Sequence, residues 1–189
     1  KSQILAFQSH TDMAVLGRDD ANAWSLREQA RGKVLSFGLS ELPVGEWGAF
    51  LQEDQIFIRQ DETQAVLPLS DIQLRGEHNL LNVMAACTLA AASGIPARAI
   101  QAGVRGFTGA PHRLEFVRHW GGAAWYNDSI ATAPERSMAA IRSFNTSLVL
   151  LAGGRDKNLP WQDFADLASQ RVRCLVLFGE AAPIIQNAL

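Results

Sequence analysis

Apolar residues in the first part of the chain fall in short runs separated by polar and turn-forming residues, a pattern of strands with short helices between them. DMAVLGRDD predicts a short buried strand ending at Asp19 and Asp20, with Asp20 placed to cap a helix over ANAWSLREQAR. KVLSFGL predicts the next strand, and QIFIRQ and QAVLPL a pair of further short ones. The period then lengthens. GEHNLLNVMAACTLAAASG is the longest helical candidate, apolar nearly all round and therefore expected to be buried, with Gly94 as its stop. Pro96 opens a second helix, ARAIQAGVRGF, which TGAP breaks near Pro111.

Beyond that break the pattern changes. RLEFVRHW, a Gly121–Gly122 turn and AAWYND predict a hairpin, although the alternation inside it is imperfect. Helix ERSMAAIRSF, strand SLVLLAGG, helix WQDFADLASQ, strand RCLVLFGE and a last helix follow. Strands and helices alternating at this length predict βαβ units with right-handed crossovers and a mostly parallel sheet. The fold class is α/β in two parts, with a boundary near Ala110 that separates residues 1–110 from 111–189. No internal repeat or low-complexity segment is visible.

Composition narrows the function. Hydrophobic residues make up 48 % of the 189 positions, enough for a real core. A net charge of −2 gives no reason to propose nucleic acid or an anionic membrane as partner. No apolar run approaches the ~20 residues of a membrane span, and no secretory leader opens the chain, so a cytoplasmic protein is expected; a monomer is the expected state, although no feature of the sequence fixes it. Cys87 and Cys174 lie far apart inside apolar segments and read as buried reduced thiols. The four histidines show no metal-ligand spacing, which speaks against zinc. Arginines outnumber lysines fourteen to three, the lysines being Lys1, Lys33 and Lys157. Both ends read as those of a fragment of something longer.

In a parallel α/β sheet, ligands sit beyond the carboxyl ends of strands, where helix N-termini present their amides. Three polar clusters fall at such places: YNDSIATAPE, GGRDKN and GEHNLLN. Asn79 and Asn82 are three apart, so both amides project from one face of a first helical turn, and an amide matches the donor and acceptor of an adenine edge. On spacing alone the commoner arrangement is that one caps the helix and the other is exposed. Asp128 could accept hydrogen bonds from a ribose or serve as a turn residue. Thr132 heads a Thr-x-x-Glu capping box with Glu135, which would occupy its hydroxyl. Lys157 suits a carboxylate or phosphate, or is a solvated turn lysine. Arg113, beside His112, could reach a phosphate or lie on the surface. No GxxxxGK[ST] loop and no GxGxxG after a strand is present.

Taken together and in order, GEHNLLNVMAA, GFTGAPHRLE, YNDSIATAPE and LAGGRDKN resemble the Mur ligase family. The resemblance covers nearly the whole chain, and Asn-Asp-Ser-x-Ala-Thr points to the D-glutamate-adding branch. It implies the end of a central ATPase domain followed by most of a Rossmann-like C-terminal domain. The UDP-binding N-terminal domain and the phosphate loop with its lysine would be missing. It further implies ATP and magnesium as cofactors, UDP-N-acetylmuramoyl-L-alanine and D-glutamate as substrates, and amide formation through an acyl phosphate in peptidoglycan synthesis. By position, Asn79 and especially Asn82 would read the adenine, Arg113 would contact the ATP phosphates with His112 beside it, and Asp128 would hold the ribose. Thr132 and Lys157 would contact D-glutamate, and Lys1 would be the carbamylated lysine that helps position magnesium. The sequence departs from the family at Ile130, where a lysine is common, so one positive charge near the amino-acid pocket is lost.

Two readings from other classes compete. A non-catalytic nucleotide-binding module would be favoured if no GxxxxGK[ST] is encoded upstream, and a nicotinamide oxidoreductase is disfavoured by the missing GxGxxG. Lacking a phosphate loop, the fragment alone is expected to be inactive.

Overall fold

In the computed structural model, which describes residues 2–189, the chain divides into two compact units. One comprises the chain up to Leu74 together with His78–Thr108, and the other Arg75–Glu77 together with Gly109–Leu189.

The first unit is built on a sheet of five strands: β1 (Met13–Gly17), β2 (Lys33–Gly38), β3 (Trp47–Gln52), β4 (Gln55–Arg59) and β5 (Thr63–Pro68), in that order across the sheet. The first three run parallel, and β3 to β5 form an antiparallel meander. β3 is absent from the strands the apolar pattern predicts, for a physical reason. Gly48, Ala49 and Phe50 are buried one after another, so the central strand shows no two-residue alternation. Gly48 has φ +148, and a Cβ there would collide with the backbone of Ser36, the residue facing it on β2. Only glycine permits that approach. The turn into β4 hides as well: Glu53 (φ 48) and Asp54 (φ 57) both take left-handed backbone without the usual Asn-Gly signal.

Helices differ from expectation in two ways. The predicted helix after β1 is a short α1 (Ala21–Ser25) followed by a 3₁₀ turn over Leu26–Gln29, although Asp20 caps it by accepting the Ala23 N–H at 2.8 Å. The long α2 (Glu77–Ala92) is buried along one face only. Val83, Met84, Cys87 and Ala91 pack with Ala49, Ile56, Ile58, Val66 and Leu67 of the sheet and with Ile100 of α3 (Ala97–Arg105). On the opposite side Leu89 is 54 % exposed and Asn82 lies in solvent. Small alanines fill that outer stripe, so hydrophobicity all round did not mean burial all round. An ion pair between Arg105 Nε and Asp71 Oδ2 at 2.8 Å holds the end of α3.

The second unit opens with the expected hairpin, β6 (Glu115–Trp120) and β7 (Ala123–Asn127). Gly121 (φ 59) and Gly122 (φ 78) supply its turn. A bulge places Phe116 opposite Tyr126 but Arg118 opposite Trp125, skipping Val117, and that extra residue breaks the alternation. Then follow α4 (Pro134–Arg142), β8 (Leu148–Gly153), α5 (Gln162–Arg171), β9 (Val172–Phe178) and α6 (Ala182–Ala188). β8 and β9 pair in parallel across α5, a βαβ unit. Leu148, Leu150, Ala152, Leu175 and Leu177 pack against Met138, Ile141, Phe164, Ala168 and Ile185 of the helices. Every second residue of β8 faces away, so Val149 and Leu151 are exposed.

Candidate functional site

The carboxyl end of β7 and the turn before β6 are tied into a clasp by three contacts, and a fourth closes the turn on the first residue of β6. Leu114 N–H donates to Asp128 Oδ1 at 2.9 Å, and His112 N–H to Glu115 Oε2 at 2.8 Å. Ile130 N–H donates to the carbonyl of His112 at 3.2 Å, and the Asn127 amide nitrogen lies 2.9 Å from His112 Nδ1. Backbone strain marks the same place. His112 has φ 65 and Leu114 φ 46, so Arg113 is presented between two residues in the left-handed region. For a leucine that conformation is costly, about 1–3 kcal/mol, and persists because its neighbours hold it. His112, Arg113, Asp128 and Ile130, singled out along the sequence, thus meet in one exposed loop pair.

Thr132 follows directly, but its capping box does not form. α4 begins at Pro134 with Ala133 in the cap position and no side-chain cap, because proline as first helical residue has no N–H to satisfy. The threonine side chain is exposed. Arg136, in the first turn of α4, reaches back to the Ile130 carbonyl at 3.5 Å.

Lys157 is exposed in the loop that leaves β8. This loop is anchored to the end of β9: Gly154 N–H donates to the Phe178 carbonyl at 3.1 Å and Ala181 N–H to the Gly154 carbonyl at 2.9 Å. A Cβ on Gly179 would stand 2.9 Å from that same carbonyl, so the two strand ends approach too closely for a larger residue. Asn158 is left-handed (φ 54), and one Asp156 carboxylate oxygen is buried without a partner.

In the first unit, Asn79 and Asn82 meet on α2 as their spacing predicts: Asn82 Nδ2 donates to Asn79 Oδ1 at 3.4 Å. Asn79 is 5 % exposed, whereas Asn82 faces solvent. Among the described residues no three of His, Cys, Asp and Glu converge as metal ligands. Lys1, to which the resemblance gives the magnesium role, lies outside the described residues. Cys87 is buried on the inner face of α2 and its thiol is pushed up to about 11 by desolvation, whereas Cys174 is exposed, contrary to the expectation that both are buried. No helix is long and apolar enough to cross a membrane, among the described residues.

Comparison with known proteins decides the family. The chain is 38 % identical over 190 residues to a UDP-N-acetylmuramoylalanine--D-glutamate ligase of Symbiobacterium thermophilum, and 40 % over 192 residues to the enzyme of that name from Acidobacterium capsulatum. Both matches cover the whole of this chain and 42 % and 41 % of the relatives. The chain belongs to the Mur ligase family. It spans about two fifths of the length of the curated relatives it matches. Among solved structures, MurF from Acinetobacter baumannii superposes with a TM-score of 0.74 at 23 % identity, covering all of this chain and 43 % of that one. MurF from Thermotoga maritima, in complex with ADP, gives 0.62 at 16 % identity over 97 % of this chain and 44 % of that one, a likeness of fold. No protein-family model matches.

Within this Mur ligase chain the sequence reading passed over Glu115 and gave Asn127 no task. Two signals pointed to them: a carboxylate two residues after Arg113, and an asparagine next to Asp128 at a strand end, where side-chain amides organise turns.

Proposed function

We propose that this chain is part of an ATP-dependent ligase that joins D-glutamate to UDP-N-acetylmuramoyl-L-alanine in peptidoglycan synthesis. The supporting observation is whole-chain identity of 35–40 % to ligases of that name, together with the Asn-Asp-Ser-x-Ala-Thr stretch at the end of β7. We assign residues 1–110 to the central ATP-binding domain and 111–189 to the C-terminal one.

The reaction has two steps. The substrate carboxylate attacks the γ-phosphate of ATP, releasing ADP and forming an acyl phosphate. The amine of D-glutamate then adds to the acyl carbon, and the tetrahedral intermediate collapses with loss of phosphate and an amine proton. Asn82, exposed on the first turns of α2 beside buried Asn79, reads the adenine edge as both donor and acceptor. Asp128 receives the ribose hydroxyls, and Arg113, held out from its strained turn with His112 beside it, neutralises charge on the phosphates. Thr132 and Lys157 bind D-glutamate, the lysine pairing with a carboxylate. Magnesium belongs to the family chemistry, but the described residues offer it no ligand cluster, so no step here is assigned to it. Such a ligase works in the cytoplasm.

The test is phosphate release by the complete ligase, which should require ATP, UDP-N-acetylmuramoyl-L-alanine and D-glutamate together. Lys157→Ala should raise the KM for D-glutamate about 10- to 100-fold, the loss of one charge-assisted contact, and leave that for ATP near its original value. Equal activity with another amino acid would overturn the assigned substrate, and an unchanged D-glutamate KM would remove Lys157 from the pocket.

A further inference from the structure

Asn127 makes two contacts that fix its own orientation. Its Oδ1 accepts the N–H of Ser129 at 3.1 Å, so its nitrogen must face the other way. That nitrogen lies 2.9 Å from His112 Nδ1. An amide nitrogen only donates, hence His112 Nδ1 accepts, and its proton sits on Nε2. The same histidine is the first of the two left-handed residues around Arg113, and its N–H and carbonyl are both engaged, by Glu115 and Ile130. Glu115 Oε2 also lies 3.7 Å from His112 Nδ1, too far for a hydrogen bond. No other side-chain contact of Asn127 among the described residues calls for an amide, and a serine or aspartate would cap Ser129 equally well.

We propose that Asn127 is a positioning residue: it holds His112 as the neutral Nε2–H tautomer and, with the carboxylates of Glu115 and Asp128, locks the turn that presents Arg113. The Arg113 half of this inference rests on the ligase reading; the tautomer half does not. With Nδ1 occupied, the one ring proton of His112 points away from the β7 end as a donor. Such a donor beside an arginine suits a phosphate oxygen, where an Nδ1–H tautomer would instead offer a lone pair and repel it.

Two substitutions separate the parts. Asn127→Asp keeps the acceptor for Ser129 but turns a donor toward His112 into an acceptor, so the proton should move to Nδ1 or the ring should become imidazolium. Asn127→Ala removes both contacts. The complete ligase, labelled with ¹⁵N-histidine, is examined by NMR at about pH 8, above the ordinary histidine range. The wild type should show a proton on Nε2 alone, and Asn127→Asp a proton on Nδ1. Steady-state kinetics on the same proteins should show the KM for ATP raised about three- to tenfold in both variants, with the KM for D-glutamate unmoved, a split that general loosening of the fold would not produce.

Retention of the Nε2–H tautomer in Asn127→Asp would overturn the proposal, whatever the enzyme does. Inversion of the tautomer with an unchanged ATP KM, while Arg113→Ala raises that KM, would overturn the link to Arg113. An ATP KM untouched by Arg113→Ala would count against the ligase role of Arg113 instead, and the NMR arm would still decide the tautomer.

Discussion

Arg18 follows β1 directly, and its guanidinium ties the end of β1 to β2 and to the middle of β3, the three parallel strands. Nη1 donates to the Ala49 carbonyl at 3.0 Å and to Ser36 Oγ at 3.4 Å; Nη2 donates to the Gly38 carbonyl at 3.1 Å and to that of Ser40. Burial lowers the pKa of the group, and the carboxylates of Asp19 and Glu46 oppose that shift. Replacing Arg18 by alanine leaves three backbone carbonyls without their donor. A hydrogen bond to a charged group is worth about 1.5–3 kcal/mol, but Arg18 is half-exposed and water would reach some of the vacated partners, so about 2–4 kcal/mol in total is expected. In a unit of roughly 100 residues that corresponds to a Tm lower by about 10–25 °C. Arg18→Lys keeps the charge and loses the planar fork, and should fall between the two. Thermal unfolding followed by calorimetry measures both. A fall of less than about 3 °C in the alanine variant, or a lysine variant as stable as the parent, would refute the view that the fork holds the strands.

Phe164 is fully buried, packs with Met138, Ile141 and Ile185, and meets Trp161 edge-on at 5.4 Å between ring centres. Phe164→Ala should cost about 3–5 kcal/mol and lower hydrogen-exchange protection in β8 and β9; unchanged protection there would contradict the core assignment. Of the two thiols, Cys174 should react with a maleimide at neutral pH in the folded protein and Cys87 should not, as mass spectrometry after brief labelling would show. Cys87 also makes stability depend on pH. Its folded pKa of about 11 lies above the reference 9.0, so between these values the unfolded chain binds fewer protons and stability falls as pH rises. Cys87→Ser should flatten that alkaline slope, and a slope of equal steepness would assign it to other groups.

Most elements were legible because one face of each is buried and the apolar period shows it. In β1, Ala14 and Leu16 are buried at a spacing of two, and in β4 Ile56 and Ile58 are. β3 was not legible: its glycine answers a close backbone approach, and its neighbours are buried on both faces, so the pattern carries no period. The capping box was misread because Thr-x-x-Glu is a local signal, and Pro134 two residues on moved the helix start. At the site, the individual candidates could be named from the sequence, yet their grouping could not. A hydrogen bond from Leu114 to Asp128 joins positions fourteen apart, and nothing in the local pattern of PHRLE announces left-handed backbone at a histidine and a leucine.

That grouping bears on Ile130, where the family resemblance leads one to expect a lysine. Ile130 serves the clasp through its backbone N–H, which donates to the His112 carbonyl, while its side chain is 45 % exposed. Any residue with an N–H makes the same bond, so the turn does not select the side chain at this position. Asn127, Asp128 and Glu115 are different, because each engages the clasp through side-chain atoms whose donor or acceptor character is fixed. The loop therefore contains two classes of position. At one, chemistry toward a ligand can change without disturbing the fold. At the other, a change of a single atom alters the turn that carries Arg113. A change of charge at 130 falls in the first class, and Arg136 of α4, whose guanidinium already reaches the Ile130 carbonyl, keeps a cation beside the loop.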